Sequence, residues 1–431
     1  MQRLYQLVYQ KVFGVSGGVS GLPENAPSHA VPGNFFKIVL AQFLSKCGDE
    51  LINPKITLPW VMQSLGIPAS FLGWLVPIRE SGSMLPQIVI AAGVRRLAIR
   101  KFVWVGGSLL MSLSVLAIVL TMTQFRAETA GWLILLCLIV FSLSRGLNSV
   151  AFKDVLGKTI PKQQRGRVSG WATAGAGGVT LLIAWLLARH LESQQMLIYT
   201  SGFILAACCW IVGAMVYSQV CEQPGEVEYR SVAPIWHKLV LLKNDKPFRL
   251  FVIARALMLC SALSAPYYVA LAQQQNAASG LLQFSFFLGA SGAAAFISGP
   301  FWGKLADHSS RQVMILASLM SAILGSIVVF LAWFVPGILN WQWVIPACYF
   351  LLTIAHQGVR LGRKTYLVDL AQGNQRTDYV SVSNTVIGAI LLVTGVISFA
   401  EPWLGIAGVL AILVVMGALG AILAAKLPEV E

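Results

Sequence analysis

Gln42, Lys46, Asp49, Glu50 and Asn53 recur at intervals of three or four inside a long apolar stretch, so a helix there gathers all five on one face. Asp49 and Glu50 fall near the middle of that stretch, and Arg79 and Glu80 near the middle of the next. A charge at the centre of a bilayer costs about 2.5–3.5 kcal/mol on insertion scales, so such groups turn from lipid toward one another or toward water. Equal depth makes the two sets expected partners. Lys46, Asp49, Glu50, Arg79 and Glu80 together leave one excess negative charge, which desolvation tends to remove by protonating a carboxylate. That is the chemistry of proton coupling. The alternative is a closed ion-pair lattice that only fixes helix packing.

Further along, Arg145 and Arg255 lie inside apolar segments, and Thr353, His356, Arg360 and Arg363 share one helical face with Gln357 beside it. Guanidinium forks suit carboxylate or phosphate. The candidate solute-binding set is therefore Gln42, Asn53, Arg145, Arg255, His356, Gln357 and Arg360, and the solute it favours is anionic or zwitterionic. For Arg360 and Arg363 the competing reading is snorkelling to an interface, and for His356 a satisfied polar core position.

The elements that must position these groups are membrane helices. With 57% hydrophobic and 11% charged residues among 431, and a mean hydropathy of +0.73, the chain is not a water-soluble domain. Segments long enough for a hydrocarbon core fall near 35–62, 68–93, 101–124, 131–153, 168–189 and 196–220, then near 248–271, 280–302, 312–335, 342–367, 379–400 and 402–425. An all-α protein of about twelve spans follows. Lys and Arg collect in alternate loops: Arg95 to Lys101, Lys158 to Arg167, Lys304 with Arg311, and Arg376. The positive-inside rule then puts both termini in the cytoplasm of a multi-pass protein of the cytoplasmic membrane. The net charge of +14 is met by anionic lipid headgroups, with no nucleic acid implied. Trp60, Trp132, Trp341, Trp343 and Trp403 read as one interfacial belt, and Trp104, Trp236 and Trp302 as the other. The seven cysteines lack metal spacing and read as small apolar residues, with no disulfide, metal or other cofactor expected.

The two runs of six are a duplication. Gly146–Ser169 and Gly358–Ser381 read as one passage written twice, 212 positions apart; Pro54 and Pro266 share that offset, and Ser81-Gly82 precedes Ser291-Gly292 by 210. Repeats of this kind place a solute pathway at their interface near the midplane. The expected organisation is an interfacial helix and linker over 1–33, a six-helix bundle over 34–221, a cytoplasmic connector with an amphipathic helix over 222–247, a second bundle over 248–426 and a tail over 427–431.

Gly303-Lys304-Leu305-Ala306-Asp307-His308-Ser309-Ser310-Arg311-Gln312, after the eighth segment, resembles the loop motif Gly-x-Leu-Ala-Asp-Arg-x-Gly-Arg-Arg of the major facilitator superfamily. Pro161-Lys162-Gln163-Gln164-Arg165-Gly166-Arg167, after the fourth, is similar to that family's Pro-x-x-x-Arg-Gly-Arg. With the two six-helix halves, the resemblance spans the chain after residue 34. It implies a gating role for Gly303, Asp307, Arg311, Arg165 and Arg167, and a cavity lined by the first, fourth, seventh and tenth helices. The first-half loop, Gly93 to Lys101, lacks the family's aspartate, and the fifth segment, Gly170 to Gly178, lacks the Gly-Pro pair of many drug antiporters. The implied function is a monomeric secondary transporter working by alternating access, with protons and a small anion or zwitterion as its partners. A proton-driven multidrug pump and a non-transporting scaffold or sensor on the same fold are the alternatives. The chain has no ATP-binding Gly-x-x-x-x-Gly-Lys-Ser/Thr and no catalytic grouping, so enzymatic activity is not expected.

Overall fold

Proline placement decides where the helices of this chain break. The computed structural model describes residues 9, 30–161, 164–189, 195–225, 227, 239–275, 280–306, 308–370 and 375–430, and the regular structure among them is helical. The first half comprises α1 (Val31–Leu51), α2 (Thr57–Ser64), a 3-10 turn (Ala69–Trp74), α3 (Leu75–Met84), α4 (Gln87–Arg95), α5 (Lys101–Gln124), α6 (Ala127–Thr159), α7 (Arg165–Ala188) and α8 (Gln195–Ser218). The second comprises α9 (Val240–Asn244), α10 (Lys246–Leu257), α11 (Cys260–Leu263), α12 (Ala265–Gln275), α13 (Gly280–Ala306), α14 (Ser310–Phe334), α15 (Pro336–Leu339), α16 (Val344–Leu370), α17 (Gln375–Thr394), a 3-10 turn (Gly395–Ala400) and α18 (Glu401–Ala425).

Nine stretches among the described residues are long and apolar enough to cross a membrane, and the last, Tyr379–Ala425, covers two expected segments. The expected segments 35–62 and 68–93 are interrupted and fall short of that criterion. Pro54 cannot donate a backbone hydrogen bond and disfavours helix at Asn53, so α1 stops at Leu51. Asn53 repairs the gap: its side-chain oxygen accepts from the Lys55 amide at 2.9 Å, and its carbonyl accepts from the Leu58 amide at 3.0 Å. In the second half the matching break lies just ahead of Pro266, between α10 and α12. Gly405, with φ of 66°, kinks α18 one turn after its start through a conformation that side chains other than glycine rarely take.

Buried hydroxyls inside the helices are satisfied locally: Thr121, Ser142, Thr159 and Thr180 each donate to the carbonyl four residues back, as does Ser264 in the bend between α11 and α12. That leaves no polar group facing lipid without a partner at these sites.

The halves meet along two seams, α3 against α17 and α7 against α13. Exchanging the halves converts one seam into the other, as the duplication requires. At Gly292 a side chain would run into Leu181, 2.9 Å away, so glycine sets the closeness of the α7–α13 seam. Away from the basic loops the halves also meet through α2 with α12 and through the two 3-10 turns. There Trp60 packs on Phe284 and Phe287, Trp74 on Phe399, and Gly73 leaves room for Tyr267 and Ser398.

The tryptophans divide differently from the expected belts. Trp132, Trp341, Trp343 and Trp403 are exposed, whereas Trp60, Trp104 and Trp302 are buried in helix contacts, Trp104 stacked on Tyr217 with centroids 4.1 Å apart. Of the segment before the first bundle, Tyr9 is buried against Phe35, and helix begins at Val31 rather than beyond residue 33. The rest of the expected interfacial helix lies outside the described residues, as do Trp236 and Asp307.

Candidate functional site

Between the halves lies a polar cavity of about 400 Å³. Its lining comes from the first, fourth, seventh and tenth segments, with additions from the second, fifth and eighth. Lys46, Asp49, Glu50, Asn53, Arg79, Glu80, Arg145, His356, Gln357 and Arg360 all reach it.

Asp49 is the hub. One carboxylate oxygen accepts from Arg79 at 3.1 Å and the other from Arg145. Arg145 is held by a second bond to the Ser45 hydroxyl at 2.8 Å, which also accepts from the Trp210 indole at 3.3 Å. Arg79 lies 5.0 Å from the centroid of Phe141, a favourable position for a cation over an aromatic face. Glu50 accepts from the Asn53 amide at 3.2 Å. Lys46, Glu80 and Arg360 have no ion-pair partner within 4 Å among the described residues.

Lys55, which periodicity does not single out, completes the site. Standing in the break after Pro54, it reaches across to His356, Nζ to Nε2 2.9 Å, and His356 Nδ1 lies 3.1 Å from the Ser261 hydroxyl. An ammonium only donates, so Nε2 accepts and the imidazole proton sits on Nδ1, facing Ser261. A smaller adjoining chamber brings Lys55, Glu80, His356, Arg360 and Arg363 together. The available signal for Lys55 is its place directly after a proline inside an apolar segment. Ser45, Ser261 and Tyr349, which also lines the cavity, carry no comparable signal.

Two candidates stand apart. Gln42 is half-buried one turn before Lys46 and does not line the cavity. Arg255 is buried and donates to Ser383 Oγ at 2.6 Å and Asn384 Oδ1 at 3.0 Å, tying α10 to α17.

The loop residues fasten helix ends. Arg165 donates to the carbonyls of Gly157 and Ile160, capping α6, while Arg167 is exposed and Gly303 half-buried. Arg311 pairs with Glu429 at 2.7 Å and donates to the Leu427 carbonyl at 2.9 Å. The first half answers its missing aspartate with other acids: Arg100 pairs with Asp154, and buried Glu222 accepts from the Arg100 and Lys101 amides and from Lys158 Nζ at 3.0 Å. In each half, then, an acid just past the last helix pins the start of the third.

The family model for the Major Facilitator Superfamily matches residues 38–395. No curated protein matches the chain in sequence. Solved structures with this fold include a variant of the nucleoside transporter NupG, with 12% identity and a TM-score of 0.70 over 91% of this chain and 99% of that one. A D-xylose-proton symporter aligns with 16% identity and a TM-score of 0.67, covering 92% and 98%. The xylose transporter XylE from E. coli, in an inward open conformation, aligns with 14% identity and a TM-score of 0.64, covering 93% and 97%.

Proposed function

The chain belongs to the Major Facilitator Superfamily and is a multi-pass integral membrane protein, and from that premise we propose that it is a secondary active transporter. It moves a small organic anion or zwitterion across the cytoplasmic membrane by alternating access, coupled to protons. The observation that carries this reading is the polar cavity at the junction of the halves, with an Asp49 hub and further charges left unpaired around it. A lattice that only fixed packing would have no use for Lys46, Glu80 and Arg360 without acid or base partners, so transport is favoured over the scaffold.

The aromatic contacts lie at the end away from the basic loops, and Arg360, toward those loops, is exposed. With the basic loops in the cytoplasm, the cavity faces inward. Arg145 serves as a solute contact positioned by Ser45 and Asp49, and Glu80, which like Glu50 makes no ion pair among the described residues but unlike Glu50 accepts no side-chain hydrogen bond there, carries the proton.

The deciding measurement is current from protein in proteoliposomes on a supported membrane, with carboxylates, phosphates, zwitterions and organic cations added with and without a proton gradient. Currents for anions or zwitterions, lost in Arg145→Ala, support the reading. A folded protein that is silent toward every solute, in current and in labelled-solute uptake, sinks it.

A further inference from the structure

Resting on the transporter reading, we propose that the solute is a small dianion, a dicarboxylate or a phosphate monoester, held between Lys55 of the first half and Arg360 of the second. Five cations line the cavity, Lys46, Lys55, Arg79, Arg145 and Arg360, against three acids, Asp49, Glu50 and Glu80. His356 adds no charge, because it accepts from Lys55. With every acid ionised, Glu80 included, the lining therefore holds two more positive than negative charges, and Arg363 in the adjoining chamber raises that excess. Inside apolar walls such an excess is poorly screened and repels cations. A neutral solute leaves it whole and a monoanion leaves part of it, whereas a dianion cancels the excess of the lining.

Geometry selects the arms. Asp49 already pairs with Arg79 and Arg145, so those guanidiniums have fewer donors left for a solute than Lys55 and Arg360. Lys55 has no acid within 4 Å among the described residues and spends one of its three donors on His356, leaving two for a ligand. Arg360 lies one helical turn beyond His356 on the same face of α16, makes no ion pair among the described residues, and offers a two-pronged fork. The two cations thus flank one imidazole from opposite halves, and an oxyanion between them touches both halves at once.

The test is ligand-dependent thermal unfolding of the purified full chain in detergent at fixed ionic strength. Succinate is compared with succinamate and succinamide, and glycerol phosphate with glycerol, so the two series separate carboxylate from phosphate. Succinate or glycerol phosphate should bind about 10-fold or more tightly than its counterpart of lower charge. Lys55→Gln and Arg360→Gln should each erase that preference. Arg360 is exposed, so its variant keeps the test valid even where Lys55→Gln misfolds. Equal or better binding of succinamate, succinamide or glycerol overturns the proposal, as does a preference retained in Arg360→Gln or no response to either dianion. Proteoliposome uptake of a monoanion or zwitterion without a dianion response ends this proposal and leaves the transporter reading standing; silence in both assays removes both.

Discussion

Lys55 and His356 are 301 positions apart in sequence and 2.9 Å apart in space, one on each half of the molecule. This contact exists because Pro54 ends α1 early and Asn53 recaptures the Lys55 amide, aiming the lysine across the interface rather than along its own helix. Around it the cavity charges follow two regimes, saturated at Asp49 and open at Lys46, Glu80 and Arg360. Each regime has a measurable consequence.

Removing the hub charge strands two guanidiniums. Asp49→Asn is expected to destabilise the protein by about 3 kcal/mol, because breaking a desolvated pair leaves uncompensated charge behind. Arg79→Gln, which leaves Asp49 still paired to Arg145, should cost clearly less. Thermal unfolding of the two variants in detergent gives the comparison, and equal losses would contradict the hub.

Glu80 has no salt bridge to surrender. Glu80→Gln is therefore expected to leave the unfolding temperature within a few degrees of the parent while abolishing proton-driven accumulation. Solute exchange down its own gradient should survive. Loss of exchange and accumulation together would assign Glu80 to solute binding instead of proton movement.

At the aromatic end, a side chain on Gly73 would stand 2.5 Å from the Tyr267 hydroxyl and meet Ser398 as well. Gly73→Ala should wedge that end apart. In a background without native cysteines, a cysteine placed at cavity-lining Ala265 should then react several-fold faster with an impermeant maleimide added to the face away from the basic loops. An unchanged rate would show that the closure does not depend on Gly73.

The two helix-pinning acids should differ in weight. The Glu222 side chain is fully buried and holds two backbone amides and Lys158, so Glu222→Ala is expected to cost about 2 kcal/mol. Glu429 is 57% exposed, and Glu429→Ala should cost under about 1 kcal/mol. Denaturation of the two variants side by side measures the difference, and a larger loss for Glu429 would reverse the assignment.

Much of this arrangement is readable from the chain, for reasons particular residues make plain. Asp49 and Glu50 declare themselves because helical spacing puts charge on one face of an apolar segment, and Arg79 follows from equal depth, whereas Asn53, expected on the same helical face, lies past the end of α1. Lys55 does not, since it lies where proline breaks the helix and spacing loses its meaning. Arg255 looks like Arg145 in sequence, yet its partner Ser383 comes from 128 positions away and draws it out of the cavity. Trp60, Trp104 and Trp302 read as interfacial because depth alone does not reveal whether a ring faces lipid or a neighbouring helix.

The Asp49 hub also bears on how the protein is made. Its carboxylate, both arginines, the Ser45 hydroxyl and the Trp210 indole all come from residues 45–210. The ribosome therefore finishes this ion set before it begins the second bundle, and the nascent first half settles into lipid with Asp49 already paired to both arginines. Lys55 waits for His356, so its contact marks the arrival of the second half.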